Sequence, residues 1–244
     1  MIKNIDVFIL CGGLGRRLRA VSGNRPKSMM RISGKPFLDK ILDRMADFGF
    51  RRFILGTGYR SGVIKKYYSL NKKRGLNIIF SRENSSLDTG GAVKNARDKI
   101  KSRYFFILNG DSYCKFNPLD FIGFHNKKKA VVSILLEKVS DGREYGLVRL
   151  DRSLRIKSFN EKIGLAKKCL VNAGVYIFDR RAFGLMPRMK KFSLERDFFP
   201  SLTGGRIFGY PKSSDLVDIG TPERYIKAKK YANSVWHNNN NAKI

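Results

Sequence analysis

A glycine run threaded with arginine is the first place in this sequence where chemistry is on offer. Leu10-Cys11-Gly12-Gly13-Leu14-Gly15-Arg16-Arg17-Leu18 puts three glycines within four residues, and Arg25-Pro26-Lys27 and Gly34-Lys35-Pro36 follow closely. Glycines let backbone approach a ligand and turn N–H groups toward an anion. Arg17, Lys27 and Lys35 add charged donors suited to phosphate. The spacing excludes a dinucleotide fingerprint, whose third glycine would fall at Leu18, and no Gly-Lys-Ser/Thr follows to make a Walker A loop. The acids lie elsewhere. Leu108-Asn109-Gly110-Asp111-Ser112 and Leu216-Val217-Asp218-Ile219-Gly220-Thr221-Pro222 each place an aspartate where an apolar run ends. Two such carboxylates, remote in sequence, would give Mg²⁺ the oxygen ligands it prefers, and that ion commonly binds substrate phosphates as well.

These groups need a scaffold that gathers strand ends. Strand-like runs at 5–10, 52–55, 76–80 and 104–108 alternate with helical spacing over 37–45, 63–70 and 91–100. Pro36 stands at the first helical position of one helix and Gly49 closes it. This rhythm predicts an α/β fold: a doubly wound, Rossmann-like mixed sheet, predominantly parallel, with helices on both faces. Ligands bind such sheets beyond the carboxyl ends of the strands, where the glycine run and Asp111 both fall. After Ala130 strand-like runs follow one another at 131–136, 146–150, 171–178 and 207–210, read as a continuation of the same sheet plus a substrate-covering lobe. Thr221-Pro222-Glu223 is a sharp helix start. No Pro- or Ser-rich linker divides the chain, so residues 1–235 are expected as one domain, with 236–244 a disordered polar tail.

Composition narrows the class. With 42% hydrophobic residues in 244, the chain has ample material for a core. No apolar run approaches the ~20 residues needed to span a bilayer, and the first residues lead into a glycine turn rather than a signal-peptide cleavage site. Three cysteines without a CxxC pair, Cys11, Cys114 and Cys169, fit a reducing cytosol better than a disulfide frame or a zinc site. The formal charge of +30 raises the prior for an anionic partner, yet the basic residues are spread along the whole chain, as a generally basic solvated surface would have them. His125 and His237 lie outside every motif; His125 reads as a surface helix residue and His237 as tail.

Taken in order, the motifs resemble those of the sugar-phosphate nucleotidylyltransferases. Gly13-Leu14-Gly15-Arg16-Arg17-Leu18, Pro26-Lys27 and Gly34-Lys35-Pro36 lead the set. Thr89-Gly90-Gly91-Ala92, Asn109-Gly110-Asp111, Tyr145-Gly146, Glu161-Lys162, Asn172-Ala173-Gly174 and Asp218-Ile219-Gly220-Thr221-Pro222 complete it. Val171-Asn172-Ala173-Gly174-Val175-Tyr176 and Ser193-Leu194-Glu195-Arg196-Asp197-Phe198-Phe199-Pro200 look most like the D-glycero-D-manno-heptose 1-phosphate guanylyltransferases. The resemblance implies a GT-A-like fold, with a nucleotide-binding half over about 1–129 and a sugar-phosphate-binding half over about 130–235. It also implies a reaction: NTP and sugar 1-phosphate give NDP-sugar and pyrophosphate in the cytoplasm, for surface glycan synthesis. Arg17 would neutralise the triphosphate and Lys27 would contact the phosphates near the reacting centre. Leu10, Gly12, Gly13, Gly15, Thr89, Gly90, Gly91 and Asn109 would surround the nucleotide, with Gly90 and Gly91 against the nucleoside. Asp111 and Asp218 would hold Mg²⁺. Gly146, Glu161 and Asn172 would face the sugar, and Lys162 would pair with its phosphate. No general base is needed, because a phosphate monoester with a second pKa of about 6 is already ionised at neutral pH.

Some positions depart from the family pattern: Arg16 in place of Thr or Ser, Ser28 in place of a second proline, and Asp88 where glycine is common. The chain also leaves no length for the β-helix domain that some relatives carry. Rival readings are thymidylyl-, uridylyl- or guanylyl-transfer to a hexose 1-phosphate, and a GT-A glycosyltransferase. The latter calls for Asp-x-Asp where this chain has Asp111-Ser112-Tyr113. A basic nucleic-acid-binding protein is the non-enzymatic alternative; the phosphate motifs outweigh it, and no nucleic-acid partner is expected.

Overall fold

The computed structural model describes residues 2–13, 15–23, 25–143, 145–161 and 168–235; the side chains of Arg16, Arg19, Ala20, Glu161 and 233–235 fall outside it. The tail expectation for 236–244 lies outside the described residues. Four strands make the first half of the central sheet: β1 (Asp6–Leu10), β2 (Arg52–Thr57), β3 (Asn77–Arg82) and β4 (Tyr104–Asn109). All their pairings are parallel, in the spatial order β3-β2-β1-β4. Side chains alternate between the faces. Val7, Ile9, Phe106 and Leu108 enter one hydrophobic cluster, while Phe8, Phe105 and Ile107 enter the other. A strand buried on both faces has no polar side, which is why 7–10, 53–55 and 105–108 read as unbroken apolar runs, while the edge strand β3 is only partly buried.

Helices cover both faces. α1 (Phe37–Asp47) and α2 (Ser61–Leu70) contribute Phe37, Leu38, Ile41, Leu42 and Ile64 to the first cluster. α3 (Asp88–Asn95) brings Ala92 and Val93 to the second. α3 begins three residues earlier than the sequence spacing predicts, because Asp88 and Thr89 already form its first turn.

Beyond β4 come β5 (Ser112–Lys115), α4 (Pro118–Lys127), β6 (Val132–Val139), β7 (Gly146–Leu150) and β8 (Ile156–Glu161). β9 (Cys169–Asp179), β10 (Ile207–Tyr210), β11 (Ser214–Asp218) and α5 (Pro222–Val235) complete the chain. β9 runs antiparallel to β4 and β6, touches β7 at Val171–Leu147, and so ties the second half into the same sheet. β10 joins β6 in parallel at the edge. β5 and β11 form a separate antiparallel ribbon above the end of β4. Among the described residues no helix is long and apolar enough to cross a membrane.

His125 corrects the sequence reading. It is buried in α4, on the same face as Pro118 and Phe121, with Nδ1 2.8 Å from Ser133 Oγ and its ring against Tyr104. The run of lysines after it suggested solvent, but the spacing 118, 121, 125 puts it on the inward stripe.

Candidate active site

β1 is flanked by β2 on one side and β4 on the other, so the chain reverses direction around it and leaves a crevice at the strand ends. Cys11 N–H donates to Gly56 O at 2.8 Å and Gly110 N–H to Leu10 O at 3.0 Å, locking the exit of β1 between its neighbours. The glycine run leaves from there. Gly15 sits at φ +58°, a left-handed conformation that glycine adopts without strain. Leu10, Gly12, Gly13, Gly15, Thr89 and Asn109 all line a cavity of about 430 Å³ beside this loop. Cys11 lines it too, but burial pushes its thiol up to about 12, which keeps it protonated and disqualifies it as a nucleophile at neutral pH.

A second compartment of about 300 Å³ adjoins the first, sharing Lys27, Asp88, Thr89, Asn109 and Asp111 as the common wall. Its far side carries Gly146 and Asn172, both expected at the sugar, together with Tyr145, Asp218 and Arg224. Arg17 is exposed and lines this second compartment. Lys27 leaves a short helical turn, Lys27–Met29, and its Nζ forms an ion pair with Asp111 Oδ2. Desolvation alone would raise the Asp111 carboxyl. The Lys27 ammonium, by charge and by hydrogen bond, and then the Ser112 hydroxyl outweigh it and hold the group below the usual carboxylate range.

The two aspartates meet across the β5–β11 ribbon. Asp218 stands opposite Ser112, and Ile219 N–H donates to Asp111 O at 3.0 Å. A Cβ on Gly220 would lie 2.7 Å from Asp218 Oδ1 and 3.5 Å from Lys27 Nζ, so the Asp111–Lys27 pair and Asp218 crowd one small region. Asp218 has its own cation: Arg224 Nη1 donates to Oδ2 at 2.7 Å. Each carboxylate therefore already draws positive charge. A pair of hard oxygen donors at a phosphate site suits Mg²⁺, which fills its other positions with water and phosphate oxygens. Among the described residues no third Asp, Glu, His or Cys joins them as a metal-ligating cluster.

Gly90 and Gly91 are buried near the start of α3. Neither lines a compartment. A side chain at Gly90 would collide with the Phe192 ring and one at Gly91 with the Lys190 carbonyl, while both N–H groups donate to Phe192 O. They seat α3 on the segment before Ser193. Glu161 pairs with Gly146 at the end of β8, but its side chain lies outside the described residues, as does all of Lys162.

Several groups in the site were given no role by the sequence reading. Glu83 lines the first compartment with its Oε1 packed against Gly12 and its Oε2 accepting from Leu87 N–H; burial raises its carboxyl. Glu195 joins the two walls. It accepts from Thr89 Oγ1 at 2.6 Å, Ser193 Oγ at 2.9 Å and the Tyr176 hydroxyl at 3.1 Å, and that hydroxyl in turn accepts from Asn172 Nδ2 at 2.9 Å. Arg196 pairs with Asp88 at 2.6 Å, giving the atypical Asp88 a structural partner.

A glycine-lined pocket at the switch point of a Rossmann-like sheet, opening through a lysine–carboxylate wall onto a second polar pocket, defines a site built to bring two phosphate-bearing molecules together. A family model described as Nucleotidyl transferase matches residues 6–234, and the chain belongs to that family. It is 34% identical over 227 residues to the D-glycero-alpha-D-manno-heptose 1-phosphate guanylyltransferase of Aneurinibacillus thermoaerophilus, covering 93% of this chain and 97% of the relative. To the mannose-1-phosphate guanylyltransferase of Mycobacterium tuberculosis it is 33% identical over 226 residues, 91% of this chain; it spans 63% of that longer protein. The crystal structure of HddC from Yersinia pseudotuberculosis superposes with a TM-score of 0.84 at 36% identity, covering 93% of this chain and 99% of that one. The same protein has been solved complexed with GMP-PN, with a TM-score of 0.83.

Proposed function

We propose that this protein transfers a guanylyl group from GTP to a heptose 1-phosphate, giving a GDP-heptose and pyrophosphate. The observation that carries the reading is the shared wall. Lys27 and Asp111 border both compartments, so a nucleotide in one and a sugar phosphate in the other present their phosphates at the same place. The sugar phosphate oxygen attacks the α-phosphorus; the new P–O bond forms as the bond to the β-phosphate oxygen breaks, and pyrophosphate carries away the electron pair. The nucleophile arrives ionised, so the protein has only to position two polyanions and spread their charge.

The loop from Gly12 to Gly15 holds the nucleotide phosphates with backbone, Arg17 takes up charge as pyrophosphate leaves, and Lys27 steadies the reacting phosphate. Asn172 and Gly146 face the sugar, and Lys162 receives its phosphate by the family resemblance. Asp111 and Asp218 fit the ligand role for Mg²⁺, which when bound supplies charge neutralisation at the phosphates. Glu83 supports guanine as the base: a carboxylate accepts two parallel N–H groups, and guanine offers them at N1 and N2. The reading puts the protein in the cytoplasm, making an activated sugar for lipopolysaccharide or capsule.

Similarity to the mycobacterial enzyme keeps mannose 1-phosphate as a second acceptor. A pyrophosphate-release screen of four NTPs against heptose, mannose, glucose and N-acetylhexosamine 1-phosphates with Mg²⁺ decides between them. GTP with the heptose phosphate is expected to be fastest. Preference for UTP or dTTP would refute guanylyl transfer, and release with no pair would refute the enzyme class.

A further inference from the structure

We propose that Arg224 binds the phosphate of the sugar 1-phosphate, and that without ligands it is kept in place on Asp218. The inference rests on the transferase reading above and assigns a residue that the family motifs do not supply.

Arg224 is the third residue of α5. A cation in the first turn opposes the positive end of the helix dipole, so its presence there does nothing for the helix. Its side chain is instead directed into the second compartment. The guanidinium lies over the Tyr145 ring, with Cζ 4.9 Å from the centroid, and Nη1 donates to Asp218 Oδ2 at 2.7 Å. Four cations line this compartment among the described residues. Arg17 follows the glycine run, Lys27 borders both compartments and is held by Asp111, and Arg196 is held by Asp88 on the shared wall. Arg224 is the one shown in contact with both Tyr145 and Asp218 among the described residues.

The contact with Asp218 is exchangeable on electrostatic grounds. A divalent cation and the guanidinium want the same carboxylate oxygens and repel each other. Once Asp218 is neutralised by a dication, Arg224 is left beside a cation and gains by turning to an incoming phosphate, whose geometry suits its planar fork. Stacking on Tyr145 keeps the group at the compartment while it changes partner.

Two readouts of opposite sign follow from one substitution. In Arg224→Ala, Mn²⁺ titrated into nucleotide-free protein and followed by electron paramagnetic resonance should bind several-fold tighter, because its competitor is gone. Mannose 1-phosphate, titrated calorimetrically in the presence of Mn²⁺, should bind roughly tenfold more weakly, as expected for a lost charged hydrogen bond. The KM for GTP should stay within about twofold, and Arg224→Lys should recover part of the sugar-phosphate affinity. Thermal melts establish that each variant is folded; should the alanine variant not fold, Arg224→Gln serves in the same two titrations. Unchanged or weaker Mn²⁺ binding, or unchanged mannose 1-phosphate binding, overturns the proposal. Both titrations need no turnover, so they decide it even if the unaltered protein releases no pyrophosphate, a result that would count against the transferase reading instead.

Discussion

Acidification from pH 7 to about pH 4.5 should cost this fold about 2 kcal/mol through His125 alone. The ring is buried in α4, with one nitrogen on Ser133 Oγ, and Nε2 has no hydrogen-bond partner among the described residues. Burial pushes its pKa down to about 4 from an ordinary 6.5; the Asp179 charge opposes that shift and Arg181 adds to it. Between those two values the unfolded chain binds a proton that the folded chain refuses, so stability rises with pH across the window and is lost on going down through it. Over the full 2.5 units the linkage is worth about 3 kcal/mol at 1.36 kcal/mol per unit, and stopping near pH 4.5 captures roughly two-thirds of it. Urea unfolding of the unaltered protein and of His125→Gln at both pH values isolates the effect. Carboxylates and the large positive net charge act on both proteins and cancel in the difference. The glutamine variant should lose about 2 kcal/mol less on acidification. Equal losses in the two proteins would show that the histidine is not a buried neutral group, and the argument would fail.

Asp111→Asn and Asp218→Asn should each reduce turnover by at least about 100-fold with the fold intact by circular dichroism, since each removes a charge from the shared wall; activity near that of the unaltered protein in either would remove the metal assignment. Arg17→Ala should lower kcat more than it raises the KM for GTP, because its charge is needed most as pyrophosphate departs, and a change confined to KM would contradict this. Glu83→Gln should erase roughly tenfold of the preference for GTP over ITP, which lacks the 2-amino group; an unaltered ratio would take the base-reading role from Glu83. Gly91→Ala should lower Tm by an amount matching about 1–3 kcal/mol, because the methyl meets the Lys190 carbonyl, whereas Gly13→Ala meets nothing within 4 Å and should leave Tm unchanged.

The parallel half of the sheet was legible because burial on both faces leaves a plain record: 104–108 is apolar at every position, and the observed strand is Tyr104–Asn109. The ribbon holding the two aspartates was not. Ser112–Lys115 and Ser214–Asp218 are short, mixed in polarity and joined only by pairing across about a hundred residues, which no local pattern encodes. Glycines were legible as positions where a side chain is unwelcome, but not as to what excludes it. Gly12 faces Glu83 in the cleft, while Gly90 and Gly91 face Phe192 and Lys190 in the protein interior. The roles of Glu195 and Arg224 stayed hidden for a similar reason. A charged residue in a helix turn reads as solvated surface until the fold shows the hydroxyls, ring and carboxylate that it meets.

β9 is gripped along one edge by β6 and along the other first by β7 and then by β4. Asn172, near its start, thus belongs to the same sheet as Asn109 at the tip of β4, joined to it across a bulge between Asn172 and Tyr176 where Gly174 takes φ +74°. A bulge gives a strand local freedom that a regular ladder lacks, so adjustment of the sugar-side wall falls to that short stretch and to the side chains at the rim rather than to a hinge between lobes.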